Sequence, residues 1–172
     1  MKEIIINGRT IGAKYPPYVI AELSANHNGK LQKALDTITE AKACGADVIL
    51  LIAAVLSQQE IKNLSEFAKS LGMDVLLEVH DLDELQKSIM PSLDMLGVNN
   101  RNLKTFEVSL DISKTLSTSI PDDFIKVSES GISSVAAIKE LMPYGYKGFL
   151  IGENFMKTDN PGLSAETFIN QL

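Results

Sequence analysis

Cysteine is almost absent from this chain, which excludes one way of building a small stable domain. Cys44 is the single thiol in 172 residues. No internal disulfide framework can form, and a reducing cytoplasm is the expected compartment. Histidine is nearly as scarce. With only His27 and His80 present, a multi-histidine metal site is not expected, and no other cofactor signature stands in its place. Long basic runs are missing too. No run of Lys or Arg exceeds two residues and the formal net charge is −6, so neither nucleic acid nor an anionic membrane surface is an expected partner. Nowhere do 18 consecutive apolar residues occur, which leaves no candidate for a membrane-spanning helix. Met1-Lys2-Glu3-Ile4 lacks the apolar core of a secretory leader.

What is present has the balance of one ordinary domain. A hydrophobic fraction of 45% and a charged fraction of 22% are globular values. The first stretch, Ile4-Ile5-Ile6-Asn7-Gly8-Arg9-Thr10-Ile11, reads as a hairpin, because Asn-Gly between two β-branched runs is a preferred two-residue turn. After Pro16-Pro17 strands alternate with helices. Apolar strand runs fall at about 18–23, 47–54, 73–79, 93–98, 123–128 and 147–151, nearly continuous, as in parallel strands buried on both faces. Helices fit between them at about 31–44, 58–71, 82–89, 107–117, 134–142 and 164–171. Ser57-x-x-Glu60 and Asp81-x-x-Glu84 have the form of capping boxes. Ile61, Leu64, Phe67, Ala68 and Leu71 recur on one helical face, a buried stripe rather than a cofactor box.

Six βα units point to an open doubly wound sheet or a (β/α) barrel, and in both the chemistry sits at the carboxyl ends of the strands. Polar residues gather there: Glu22, Glu78, His80, Asn99, Asn100, Arg101, Glu129 and Ser130. Charged groups at the ends of apolar strands are costly to bury, so their accumulation at one rim argues for a site. Two strand ends stop at glycine, in Lys126-Val127-Ser128-Glu129-Ser130-Gly131-Ile132 and in Gly148-Phe149-Leu150-Ile151-Gly152-Glu153-Asn154. Backbone N–H groups come close to a ligand at such turns, and a short helix expected at Glu153–Met156 would complete a phosphate cup. Each turn alone could be simple loop chemistry.

From about 47 to 162 the chain resembles indole-3-glycerol-phosphate synthase, a tryptophan-pathway (β/α)8 enzyme. The motifs are Val48-Ile49-Leu50-Leu51-Ile52-Ala53-Ala54, Val75-Leu76-Leu77-Glu78-Val79-His80, Gly97-Val98-Asn99-Asn100-Arg101-Asn102-Leu103, and the two glycine-ended strands above. The resemblance implies the fourth to eighth strands of that barrel and a lyase-type chemistry. It casts Glu78 as the carboxylate that handles the substrate proton, Asn99 as the residue near the substrate hydroxyls, and Arg101 as an orienting neighbour. Glu129 and Ser130 would grip the two ends of the substrate, while Gly131, Gly152 and Glu153 would offer N–H groups to its phosphate. The bound partner is then a phosphorylated small molecule or inorganic phosphate. His80 reads as a hydrogen-bonded structural residue.

Residues 1 to about 49 resemble instead the sialic and pseudaminic acid synthases, through the hairpin, Val19-Ile20-Ala21-Glu22-Leu23-Ser24-Ala25-Asn26-His27-Asn28-Gly29, and Ala41-Lys42-Ala43-Cys44-Gly45-Ala46-Asp47. That resemblance makes Glu22 a substrate-side carboxylate, with a buried, cation-paired carboxylate as the other reading. Leu50, Leu51 and Ile52 replace that family's lysine-bearing strand, and no histidine follows His80. Gly45-Ala46-Asp47 therefore looks like a seam between two barrels. The indole-3-glycerol-phosphate synthase pattern is also incomplete. Its first-strand Glu-x-Lys pair and its third-strand Arg-Lys-Asp-Phe, whose lysine is the general acid, have no counterpart at a strand end. A general acid contributes on the order of 10²–10⁴-fold, so ring closure should be nearly silent. A lysine supplied at Ala54 is expected to lie nearer the rim than one at Leu50.

The expected architecture is a single-domain α/β protein, a partial TIM-type (β/α) barrel of about six parallel strands with an N-terminal β-hairpin. A closed barrel of this class takes eight strands, so exposed edges are expected to draw the chain into a homo-oligomer. Interior-facing positions are expected to include Leu76, Glu78, Val98 and Val127. The gap should lie near the strands at 18–23 and 47–54.

Overall fold

Asn7 and Gly8 both adopt positive φ, 46° and 81°. This primed turn folds β1 (Ile4–Ile6) back antiparallel onto β2 (Arg9–Ile11). The structure is a computed structural model and describes residues 3–12, 14–23, 27, 29–103 and 105–172. Asn26 and Asn28, in the stretch after Glu22 that carries the second resemblance, lie outside the described residues.

Beyond the hairpin the chain alternates strictly. β3 (Ile20–Glu22), α1 (Leu31–Ala43), β4 (Val48–Ile52), α2 (Gln58–Ser70), β5 (Asp74–Val79), α3 (Leu82–Ser88), β6 (Met95–Asn99), α4 (Asp111–Ser117), β7 (Ile125–Glu129), α5 (Val135–Leu141) and β8 (Tyr146–Leu150) follow in turn. The short α6 (Glu153–Met156) and α7 (Pro161–Ile169) close the chain. The six strands from β3 to β8 form one parallel sheet in sequential order. The result is a curled half-barrel, with β3 and β8 as its two edges.

Alternation along the strands sorts two cores. Ile49, Leu51, Val75, Leu77, Val79, Leu96 and Val98 face the helices, where they meet Ala34, Ile38, Ile61, Leu64, Ala68, Leu85, Leu116 and Leu141. Val48, Leu50, Leu76, Met95 and Val127 face the hollow, and Ile6 of β1 packs among them. Val98 therefore belongs to the helix side and not to the interior, because the inward positions of β6 are Met95, Gly97 and Asn99.

The hairpin plugs the lower end of the hollow and is fastened by the aspartates that open the strands. Asp74 accepts hydrogen bonds from Asn7 Nδ2 at 2.8 Å and from the Tyr18 hydroxyl. Asp47 pairs with Arg9 and accepts from the Val19 amide at 2.8 Å. Lys69 Nζ reaches Asp94 at 2.7 Å and Asp74 at 3.5 Å. Burial, with Asp74 close by, holds the Tyr18 phenol far above its ordinary pKa, so it stays a donor to the aspartate.

Several boundaries differ from the sequence expectation. The helix expected from 107 starts at Asp111, because Arg101 bridges back to Val108 and the Ser109 amide bonds to Asn100 O. The last helix starts earlier than expected, at Pro161 behind an Asn160 cap, since proline suits a first helical turn. Ser57–Glu60 is a full capping box. At Asp81 only half of one forms, because the Glu84 carboxylate accepts from the His80 amide instead. β3 and β4 pair in register, from Ile20 with Val48 to Glu22 with Leu50, so the gap lies on the outer side of β3, between it and β8.

Candidate active site at the strand ends

The upper rim of the hollow holds a cavity of about 430 Å³. Its lining includes all nine residues expected at the site: Glu22 from β3, Glu78 from β5, Asn99 and Arg101 from β6 and its end, Glu129, Ser130 and Gly131 from β7 and its turn, and Gly152 and Glu153 ahead of and within α6. Parallel pairing does this work. Glu78 stands level with Gly97, and Asn99 stands level with Glu129, so inward side chains from three adjacent strands meet above the apolar floor of Leu50 and Leu76.

Asn99 is the connecting piece. Its Nδ2 donates to Glu78 Oε1 at 2.7 Å, and its Oδ1 accepts from the Arg101 amide at 2.9 Å. The Arg101 guanidinium leans across the mouth onto the Glu153 carboxylate. His80 keeps its structural role, with Nδ1 against the Asn99 carbonyl oxygen at 2.8 Å. Glu129 has the most unusual environment. Its Oε1 is buried without a hydrogen-bond partner among the described residues, in the space that a Cβ on Gly97 would occupy at 2.0 Å. Burial first, then the neighbouring Glu78 carboxylate, then the charge of Glu22, push the Glu129 carboxyl up to about 9. At neutral pH Glu129 is thus a protonated acid beside Glu78.

One part of the site escaped the sequence reading. Asn100 does not face the rim but is fully buried on the helix side. Its Nδ2 donates to Ser128 Oγ at 2.9 Å and to Ser130 O at 3.1 Å, and its Oδ1 accepts from Ser113 Oγ at 2.8 Å. Ser113 Oγ also meets Ser128 Oγ at 2.8 Å, and Tyr146 donates to Ser113 O at 2.7 Å. This satisfied network holds the turn where Ser130 and Gly131 both take positive φ, 64° and 72°. A left-handed serine is uncommon and persists where its surroundings over-determine it. The signal was available, since Asn100 and Ser128 are polar residues placed with the outward, apolar set.

The two glycines differ. A Cβ on Gly131 would meet Val108 Cγ1 at 2.4 Å, so packing alone demands glycine there. A Cβ on Gly152 would meet nothing within 4 Å among its described neighbours, leaving room beside the first turn of α6. The expected one-turn helix is present at Glu153–Met156. Among the described lining residues Arg101 is the only cation. Lys126 turns away to Ser117 O at 2.7 Å, and Lys147 lies within β8. Leu50 lines the cavity whereas Ala54 lies outside its lining in the turn after β4, which reverses the expected order of the two for a supplied lysine. Among the described residues no group of three His, Cys, Asp or Glu side chains could hold a metal ion.

A family profile for indole-3-glycerol phosphate synthase matches residues 34–168. The chain belongs to the indole-3-glycerol phosphate synthase family. The Bacteroides thetaiotaomicron indole-3-glycerol phosphate synthase is 47% identical over 133 residues, which is 77% of this chain and 51% of that protein. The Albidiferax ferrireducens enzyme is 48% identical over 132 residues, 76% of this chain and 50% of its own length. The chain thus spans about half the length of the curated relatives it matches. Among solved structures, the N-acetylneuraminic acid synthetase of Leptospira borgpetersenii superposes with a TM-score of 0.66 at 20% identity, over 83% of this chain and 54% of that one. At that identity the likeness establishes the TIM-barrel type of fold and nothing of the chemistry. In this chain a hairpin closes the lower half of the hollow, and the strand-end residues named above line its upper half.

Proposed function

We propose that this protein is an indole-3-glycerol-phosphate-synthase-type half-barrel that binds a phosphorylated small molecule, or inorganic phosphate, at its glycine rim, with ring closure reduced to little or nothing. One observation carries the reading. The cavity assembles Glu78, Asn99, Arg101, Glu129 and Ser130, yet no lysine lies among its described lining residues. Acid–base pairs work when the acid is positioned on the leaving group, and Glu78 here faces another carboxyl instead of an ammonium. The phosphate end rests on the open space at Gly152 and on the first amides of α6, which have no carbonyl one turn earlier to bond within the helix. A barrel fragment recombined near Gly45-Ala46-Asp47 accounts for the hairpin and Glu22 standing beside strands of this family. The exposed single thiol Cys44 fits a reducing cytoplasm.

The test has two arms. Millimolar inorganic phosphate should perturb the amides of Gly131, Gly152 and Glu153 in an NMR titration, and an unperturbed rim would refute the phosphate end. The precursor of indole-glycerol phosphate should yield no indole fluorescence above background with the native chain. Leu50→Lys, which places an amine on the cavity floor, should raise that signal; no gain there or from Ala54→Lys would show that the missing strands, not the missing acid, silence the reaction.

A further inference from the structure

The cavity carries an imbalance of charge. Among the described residues that line it, Glu78, Glu129 and Glu153 stand against one guanidinium, that of Arg101, which is committed to Glu153. Glu78 and Glu129 are 9% and 6% exposed. Glu78 has one oxygen held by Asn99, while Glu129 Oε1, shielded from solvent, projects over Gly97 into the hollow with no described partner. A polar atom buried in this way is costly unless something pairs with it. We propose that this pocket is a binding site for a protonated primary amine, seated between Glu78 and Glu129.

The chemistry of the surroundings selects this cation over others. An ammonium concentrates three donors and a full charge on one small atom, so it can serve two carboxylates from different strands at once. A guanidinium offers a flat fork suited to a single carboxylate, and Arg101 already uses one on Glu153. Leu50 and Leu150, which line the cavity, would cover a short alkyl chain. The proton that Glu129 retains occupies the amine's place, so binding should expel it. The charged and titratable groups facing Glu129 are Glu22 from β3, Glu78 from β5 and, farther out, the Arg101–Glu153 pair; β4 supplies only apolar side chains and β6 the neutral Asn99. Because the glycine rim adjoins this pocket, the ligand class becomes a short aminoalkyl phosphate. That extension rests on the phosphate reading above, whereas the amine pocket does not.

The experiment is an NMR and calorimetric titration of the full chain with n-butylamine, with n-butanol as neutral isostere and inorganic phosphate as a separate probe. Saturable shifts at Gly97 and Glu129 are expected with the amine and not with the alcohol. Glu129→Gln and Glu78→Gln should each weaken amine binding about ten-fold or more, the worth of one charge-assisted hydrogen bond. Affinity should rise from pH 6 to pH 8, and the binding enthalpy should vary with buffer as the Glu129 proton leaves. Equal binding of butanol, or undiminished amine binding by both variants, would overturn the proposal. Amine binding without phosphate binding would refute only the phosphate rim, and the reverse result would refute only the amine pocket.

Discussion

Glu129 keeps its proton past neutral pH because the fold surrounds its carboxyl with apolar strand and two other carboxyls. In the unfolded chain it ionises near 4.5, and in the fold near 9. Between those values the folded chain binds more protons, so stability falls as pH rises. The contribution is fully present below pH 4.5 and is lost as pH passes through the folded value. Urea unfolding of the native chain should therefore lose roughly 1 kcal/mol per pH unit between about pH 6 and 8. Glu129→Gln, neutral at every pH, should flatten that slope; an unchanged slope would place the titration elsewhere. Gly97 is bound to the same carboxyl through space. Gly97→Ala pushes a methyl into Glu129 Oε1 and should cost about 1–3 kcal/mol, most of it recovered in the double variant with Glu129→Ala. Two additive losses would mean that the methyl strains the strand and not the carboxyl. Glu129 itself was legible as a strand-end residue. Its protonation was not, because desolvation depends on which strands stand beside it.

Elements were legible to the extent that their signals are local. Ser57 and Glu60 announce α2 within four residues, and Asn7-Gly8 announces the hairpin turn, since both rest on short-range hydrogen bonds and dihedral preferences. The destination of the hairpin was not written in it. Asp74, distant in sequence, receives Asn7, Tyr18 and Lys69 together. Asp74→Ala would leave the half-buried Tyr18 hydroxyl and the Asn7 amide without this acceptor, while Lys69 keeps Asp94, and should lower the unfolding free energy by about 1–3 kcal/mol, with hydrogen exchange accelerated first in β1 and β2. A loss within experimental error would show that Ile6 packing alone seats the hairpin. Val98 was misplaced for a related reason. A nearly continuous apolar strand has no alternation to read, and only Gly97 over Glu129 and Asn99 beside Glu78 reveal which residues of β6 look inward.

Across the whole molecule, the open sheet leaves β3 and β8 without outer partners. Parallel edges of this kind pair readily with other strands, and the apolar positions Val19 and Val55 stay exposed near the β3 side. We expect the chain to self-associate through this seam. Light scattering across a dilution series would show a dimer or larger species that dissociates only at low concentration. A persistent monomer of 18.7 kDa would show that the hairpin and helices protect the edges unaided. A credible interface buries about 1,000 Å² or more, which two strand edges and their flanking helices can supply.

The sequence by itself determined the βα alternation, the parallel sheet, the hairpin turn, the family and the identity of the rim residues, because each depends on patterns within one or two elements. Tertiary structure decided what those residues are to one another. It brought Glu22, Glu78 and Glu129 around one cavity, turned Asn100 into the buried support of the Ser130–Gly131 turn, and left the gap between β3 and β8. Charge, burial and closure are properties of neighbours in space, and side chains from strands far apart in the chain became neighbours only when the sheet curled.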